Sequence, residues 1–118
     1  MKKVLVVDDE PRILKFLSLK LAASGFDVTA ADNGLQALEQ TKKVNPDIIL
    51  MDIIMPGMDG VETLRQLRKT CHCPVIMFSA REHDFEEIRK LGADDYIRKP
   101  FDPEEVVAKL HQVLNGRK

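Results

Sequence analysis

The stretch Val4-Leu5-Val6-Val7-Asp8-Asp9-Glu10-Pro11 decides the fold of this chain. Its apolar residues run on without polar alternation, the pattern of a strand covered on both faces. Three acids stop the run, and Pro11 suits the first turn of a helix, where its missing N–H costs nothing. The helix that follows carries Ile13, Leu14, Leu17 and Leu21 on one face, and Gly25 follows its end. A buried strand leading into an amphipathic helix is a βα unit.

Outward from this stretch the unit recurs. Short β-rich runs at Lys3–Val7, Asp27–Ala31, Asp47–Met51, Pro74–Phe78 and Asp94–Ile97 predict five strands, each followed by a helical pattern. The second helix is expected over Gly34–Lys43 with Leu35 and Leu38 inward, and Pro46 prevents its continuation. The third follows Asp59 and Gly60 and buries Val61, Leu64 and Leu67. The fourth is short, with Phe85, Ile88 and Leu91 inward and Gly92 as a left-handed cap. The fifth has Asp102 as cap, Pro103 first and Glu105 placed as in a capping box, with Val106, Val107, Leu110 and Leu114 on its apolar side. Asn115 to Lys118 reads as a polar tail. Alternating βα units predict an α/β fold, a doubly wound five-stranded parallel sheet of order 2-1-3-4-5, the flavodoxin-like arrangement.

A chain of 118 residues, 44% apolar and 31% charged, suits one domain over residues 1–118 and leaves no room for a second. Lys plus Arg total 18 and Asp plus Glu 19, so the net charge is -1 and no field invites nucleic acid or an anionic membrane. With no Trp, one Tyr and five Phe there is no base-stacking platform. No apolar stretch approaches a membrane span, and the opening run is too short for a signal peptide. Two cysteines give no disulfide framework, so a cytoplasmic location is expected.

In such a sheet, ligands sit beyond the carboxyl ends of the strands, where strand order reverses. Asp8, Asp9 and Glu10 follow the first strand, Asp52 the third, Ser79 the fourth and Lys99 the fifth. The first and third strands are neighbours in the expected order, so Asp8, Asp9 and Asp52 should converge on one crevice. Three carboxylates there repel one another unless a cation intervenes. Oxygen-only ligands with open positions favour Mg²⁺. A divalent ion and the Lys99 ammonium beside a carboxylate make a place to receive a phosphoryl group, and Asp52, alone at its strand end, is the candidate nucleophile.

The stretches VLVVDDEP at 4–11, ILMDIIMPGMDG at 49–60, MFSA at 77–80 and GADDYIRKPF at 92–101 resemble, in order and spacing, the receiver domain of two-component response regulators. The resemblance covers essentially the whole chain and is nearest to receivers of winged-helix transcription factors. It implies a phospho-accepting signalling domain rather than an enzyme, with Asp52 as the phospho-acceptor. Asp8 and Asp9 would form the acidic pocket, Asp9 the more direct Mg²⁺ ligand, and the backbone carbonyl of Ile54 would complete the metal shell. Ser79 would hydrogen-bond the phosphoryl group, Lys99 would pair with it, and Tyr96 would be the aromatic switch. The Lys99–Pro100 bond is expected to be cis. Ile54 and Arg81 stand where the family tunes the lifetime of the phosphate. The implied partner is a histidine kinase or phosphotransfer protein, and the fourth helix, fifth strand and fifth helix would form the output surface. Arg89, Lys90, Asp94, Asp95, Glu105 and Lys109 there suit a two-fold homodimer. The effector is expected in another protein or in residues absent from this chain.

Plainer readings stand beside these. Any one acid of Asp8, Asp9 and Glu10 suits a helix N-terminus, Asp52 suits a turn before Met55, Pro56 and Gly57, and Ser79 suits a loop. Convergence at adjacent strand ends is what favours the functional reading. Lys99 as a surface lysine and Tyr96 as an ordinary strand residue are the plain alternatives. Cys71, His72 and Cys73 invite a soft-metal reading, but three ligands in three residues cannot close a tetrahedral site, and an exposed loop is expected instead. Two rival functions share the layout. A haloacid dehalogenase-type phosphatase wants a second Asp two residues after the nucleophile, where this chain has Ile54. A small flavodoxin wants a hydroxyl-rich phosphate loop, where Asp8, Asp9 and Glu10 would repel the FMN phosphate.

Overall fold

Side chains along each central strand alternate between two helical layers, and this alternation organises the molecule. The computed structural model describes residues 1–79 and 85–116. Its elements are β1 Lys3–Val7, α1 Pro11–Ala23, β2 Asp27–Ala31, α2 Gly34–Val44, β3 Ile48–Asp52, α3 Gly60–Leu67, β4 Val75–Ser79, α4 Phe85–Lys90, β5 Asp95–Arg98 and α5 Pro103–Gly116. The strands pair in parallel in the order β2-β1-β3-β4-β5, as expected.

Leu5 and Val7 of β1, Ile49 and Met51 of β3, and Val75 and Met77 of β4 share a core with Ala37, Leu64, Leu67 and Ile88. Val4, Val6, Ile48, Leu50, Ile76 and Phe78 share another with Leu17, Leu21, Val106 and Leu110. Helices α2, α3 and α4 therefore cover one face and α1 and α5 the other. Burial on both faces is why β1, β3 and β4 read as unbroken apolar runs.

Side chains satisfy free N–H groups that open α2, α3 and α5. Asn33 Oδ1 accepts from the Gln36 N–H at 2.8 Å, Asp59 Oδ1 from the Glu62 N–H at 2.9 Å, and Asp102 Oδ1 from the Glu104 N–H at 2.9 Å. At the other end of α4, Gly92 adopts φ +113°, the left-handed cap expected of it. The Lys99–Pro100 peptide is cis.

Five expectations need correction. Strands β3, β4 and β5 each begin and end one residue later than the apolar runs suggest. Pro74 has no N–H for the ladder, whereas Ile53 donates to the Phe78 carbonyl at 2.9 Å and Lys99 to the Ser79 carbonyl at 2.8 Å, so pairing persists through polar strand ends. Helix α2 extends to Val44 and stops at Asn45, which takes the left-handed conformation at φ 49° before Pro46. Leu35 is 63% exposed rather than inward. The buried stripe of α2 is Gly34, Ala37 and Thr41, small side chains that let the helix sit close to its neighbours. Asn115 and Gly116 continue α5 instead of starting a tail, and Arg117 and Lys118 lie outside the described residues. Cys71 and Cys73, expected as an open loop without a disulfide, are joined to each other. The Cys71 N–H donates to the Leu67 carbonyl at 2.8 Å, which turns the chain and leaves the two Cα atoms 5.6 Å apart. No described helix is long and apolar enough to cross a membrane.

Candidate functional site

Parallel register builds the site. Val7 pairs with Met51, so Asp8 follows β1 directly beside Asp52, the last residue of β3. Asp52 in turn pairs with Phe78, which puts Ser79, the last residue of β4, one step beyond it on the next strand. Carboxylate oxygens of Asp8, Asp9 and Asp52 all lie within 4.8 Å of one another. Asp8 is fully buried and Asp52 is 5% exposed, while Asp9 faces solvent.

Lys99 reaches this group from the far side of β4. Its Nζ lies 3.2 Å from Asp8 Oδ2 and 3.2 Å from Asp52 Oδ2, and 4.8 Å from the centroid of the Phe78 ring. The ring faces the ammonium with its negative quadrupole. Phe101 packs against Phe78, edge to face at 5.9 Å. The remaining oxygens of the two buried acids are held by backbone: Asp8 Oδ1 accepts from the Glu10 N–H at 2.8 Å and Asp52 Oδ1 from the Ile54 N–H at 3.2 Å. Glu10, the N-cap of α1, makes no side-chain cap bond, so Asp8 tethers the start of that helix.

Burial raises the Asp8 carboxyl above its ordinary pKa of 3.8; the Glu10 N–H and Lys99 oppose the shift, and the negative charge of Asp9 adds to it. Burial likewise raises Asp52, with Lys99 opposing it and Asp8 reinforcing it. For Lys99, burial disfavours the ammonium, but the charges of Asp52 and then Asp8 overcome it and raise the pKa above 10.5. Two desolvated acids with a third carboxylate beside them are the condition under which a cation is most welcome. The donor set is oxygen-only, which fits a hard divalent ion of the Mg²⁺ type.

Ser79 is fully buried. Ile54 stands at the mouth of the crevice, 45% exposed. Tyr96, half-buried, pairs with Met77 in the ladder and lies against Phe85 at the start of α4, ring centroids 6.4 Å apart. Arg81 lies outside the described residues. Asp95 is bonded to Lys109 within the chain at 3.0 Å, and Arg89 to Glu86 at 3.4 Å.

Sequence reasoning passed over Phe78, while Gly60 is a backbone necessity, as its residue type suggests. Phe78 is legible only from the register, as the residue opposite Asp52. Gly60 donates its N–H to the Ile53 carbonyl at 2.7 Å, and a Cβ there would overlap the Asp52 carbonyl oxygen and stand 2.7 Å from Ile53 Cα. This close approach folds the loop after β3 back onto the strand that carries Asp52.

An acid pair after β1, an aspartate ending β3, a serine ending β4 and a lysine beyond β5, around one crevice, are the arrangement that the four quoted stretches resemble. Residues 4–111 match the response regulator receiver domain family. The chain belongs to this family. It is 41% identical over 116 residues to the alkaline phosphatase synthesis transcriptional regulatory protein PhoP of Bacillus subtilis (strain 168), a match covering 96% of this chain and 48% of that protein. It is 38% identical over 115 residues to the DNA-binding response regulator MtrA of Mycolicibacterium smegmatis, covering 96% of this chain and 50% of that one. The chain thus spans about half the length of the curated relatives it matches. Among solved structures, the receiver domain of Francisella response regulator 1452 superposes with a TM-score of 0.92 at 36% identity, covering 100% of both chains. The BeF3-activated N-terminal receiver domain of Klebsiella pneumoniae RstA gives 0.90 at 29% identity, covering 99% of this chain and 100% of that one.

This receiver is a phospho-accepting signalling domain of the two-component type. The rival functions find no support in its site. The dehalogenase-type acid-base position is the aliphatic Ile54, and the loop where a flavodoxin would bind phosphate carries the acids Asp8, Asp9 and Glu10.

Proposed function

We propose that Asp52 of this receiver accepts a phosphoryl group from a phosphohistidine on a partner histidine kinase or phosphotransfer protein. Asp8, Asp9 and Asp52, with the backbone carbonyl of Ile54, would hold Mg²⁺. The observation that carries the reading is the Lys99 ammonium poised at 3.2 Å from both Asp8 and Asp52. When bound, the ion supplies positive charge that neutralises the phosphoryl oxygens.

A carboxylate oxygen of Asp52 attacks phosphorus; the O–P bond forms as the P–N bond of the donor breaks, and the imidazole leaves with the electron pair. Lys99 then exchanges Asp52 for a phosphoryl oxygen while Asp8 and the Phe78 ring keep its Nζ in place. The Glu10 and Ile54 N–H groups keep the two carboxylates oriented throughout. Because the receiver supplies this geometry itself, it assists its own phosphorylation and dephosphorylation without being a turnover enzyme. The exposed Phe16, with Ile13, Pro100 and Phe101, lines an apolar hollow beside Lys99 that a protein donor would cover.

The added charge draws in the Ser79 hydroxyl, and Tyr96 turns inward from its place against Phe85. Repacking of the α4, β5 and α5 surface is the proposed output, with a homodimer formed as pairs such as Asp95 and Lys109 exchange partners across the two-fold axis. Control of transcription is the output class that the named relatives suggest, and the cytoplasm, where kinase and receiver meet, is the proposed location. This segment is not proposed to bind nucleic acid or membrane itself.

Intact-protein mass after incubation with Mg²⁺ and acetyl phosphate tests the reading. One phosphoryl adduct is expected, lost on chelation and lost in Asp52→Asn; an unmodified, well-folded wild-type protein would refute it.

A further inference from the structure

At the pole opposite the acidic crevice, the turn between α3 and β4 carries Cys71, His72 and Cys73, which no part of the phosphoryl chemistry uses. We propose that Cys71 and Cys73 are a reversible redox site, a dithiol and disulfide pair that exchanges with low-molecular-weight thiols and disulfides and tightens or loosens the corner between α4 and β5. The proposal does not depend on phosphoryl transfer at Asp52, and only the value of that corner as an output rests on the function proposed above.

The two sulfurs are bonded to each other, and the Cys73 N–H donates to Cys71 Sγ at 3.2 Å. A bond between residues two apart closes a very small ring and removes little chain entropy from the unfolded state, so it does little for stability. Both cysteines are partly exposed. They border a surface hollow shared with Lys42, Asn45 and Pro46. A disulfide that is accessible and contributes little to the fold is of the labile kind. The cation of Lys42 on the same hollow attracts an anionic reagent.

Oxidation balances as two exchanges. One thiolate attacks a sulfur of the small disulfide, forms a mixed disulfide and expels one small thiolate. The other thiolate then attacks the protein sulfur of that mixed bond, closes the Cys71–Cys73 disulfide and expels the second small thiolate. Two protein thiols are oxidised, one small disulfide is reduced, and the reverse sequence reopens the ring.

Arg68 connects this turn to the rest of the domain. Its Nη1 donates to the Cys71 carbonyl at 3.2 Å, while Nε and Nη2 donate to the Gly92 carbonyl at 3.1 and 2.7 Å. Its Nη2 also lies 3.4 Å from Asp94 Oδ2, which accepts from the Val75 N–H at 2.8 Å. One guanidinium therefore spans the redox turn and the Gly92–Asp94 corner that leads into β5. With the ring closed, the Cys71 carbonyl is held in place for Arg68; with it open, residues 71–73 regain backbone freedom and the anchor loosens.

The full chain, equilibrated in glutathione buffers of varied thiol to disulfide ratio and alkylated before intact-mass measurement, tests the site. A single reversible transition is expected, from two alkylated cysteines to none with loss of two hydrogens. Thiols that stay alkylatable in excess glutathione disulfide, or that stop at mixed disulfides, overturn the proposal. Hydrogen exchange tests the connection: amides of residues 91–95 should exchange at least about threefold faster in the reduced protein. Equal protection in both states overturns the relay, as does a redox-dependent difference that persists in the Cys71→Ser, Cys73→Ser double variant. The wild-type comparison carries the test even if that variant folds poorly.

Discussion

Lys99 Nζ and Asp52 Oδ2 lie 3.2 Å apart although 47 residues separate them and β4 runs between their strands. Because the same ammonium also holds Asp8, one cation serves two buried carboxylates, and Asp9 adds a third acid within reach. When ionised, three carboxylates against one ammonium leave an excess of two negative charges, the charge that a divalent ion brings. Lys99 is therefore a partner of these acids and would compete with a bound divalent ion for them.

Replacing Lys99 by Ala should raise the affinity for Mg²⁺ by about tenfold, since a positive charge within a few ångströms of the ion's ligands is removed. The same variant should lose phosphorylation by acetyl phosphate. Titration calorimetry and intact mass check the two effects, and weaker Mg²⁺ binding in Lys99→Ala would contradict the assignment of Lys99 as a competing cation.

The buried acids set a pH dependence of unusual sign. Burial raises Asp52 and Asp8 above 3.8 in the folded state, so folding binds their protons more tightly than the unfolded chain does. Their charged forms weaken the fold at neutral pH, and that penalty is relieved as pH falls through the raised folded values toward 3.8. In metal-free buffer, Asp52→Asn should therefore be more stable than wild type at pH 7, with the gap narrowing in acid. Urea titrations at several pH values measure this; a gap that widens toward low pH would contradict it.

At the alkaline end the sign comes from Lys99. Its pKa is raised in the folded protein by Asp52 and Asp8 against the cost of burial. The stability it contributes is complete below its ordinary value of 10.5 and disappears as pH rises through the folded value. Wild type should accordingly lose stability relative to Lys99→Met above that pH, as thermal melts across the alkaline range would register.

Gly60→Ala should cost about 2 kcal/mol, because the added methyl would overlap the Asp52 carbonyl with backbone on every near side. Phosphorylation should slow as well, since the strand that presents Asp52 must shift. Leu35→Lys, by contrast, should change stability by less than about 0.5 kcal/mol because Leu35 is 63% exposed. Chemical denaturation of both variants checks the pair.

The positions of Asp8, Asp52, Ser79 and Lys99 were legible in the sequence because each ends or directly follows a strand of the recurring βα unit. Register then makes them neighbours automatically: Val7 pairs with Met51 and Asp52 with Phe78. Leu35 misled because helical periodicity tells which residues share a face, but not whether a large Leu or a small Ala37 points at the neighbouring layer. The Cys71–Cys73 bond was missed because its geometry depends on how α3 ends, with the Cys71 N–H donating to the Leu67 carbonyl.

The sequence by itself determined the alternation of strands and helices, the parallel sheet and its order, and the acids and lysine at its carboxyl edge, since apolar periodicity and chain connectivity are properties of the linear chain. Only the tertiary structure decided that Phe78 supports Lys99, that the Glu10 and Ile54 amides orient the carboxylates, that Gly60 folds its loop onto Asp52, and that Arg68 joins Cys71 to Gly92. Each of these is a contact between particular atoms: an ammonium over a ring, amides two residues along from the carboxylates they meet, a glycine against the backbone of a strand, and a guanidinium bridging two turns. Such contacts depend on packing distances of a few ångströms, which the residue types along the chain do not encode one at a time.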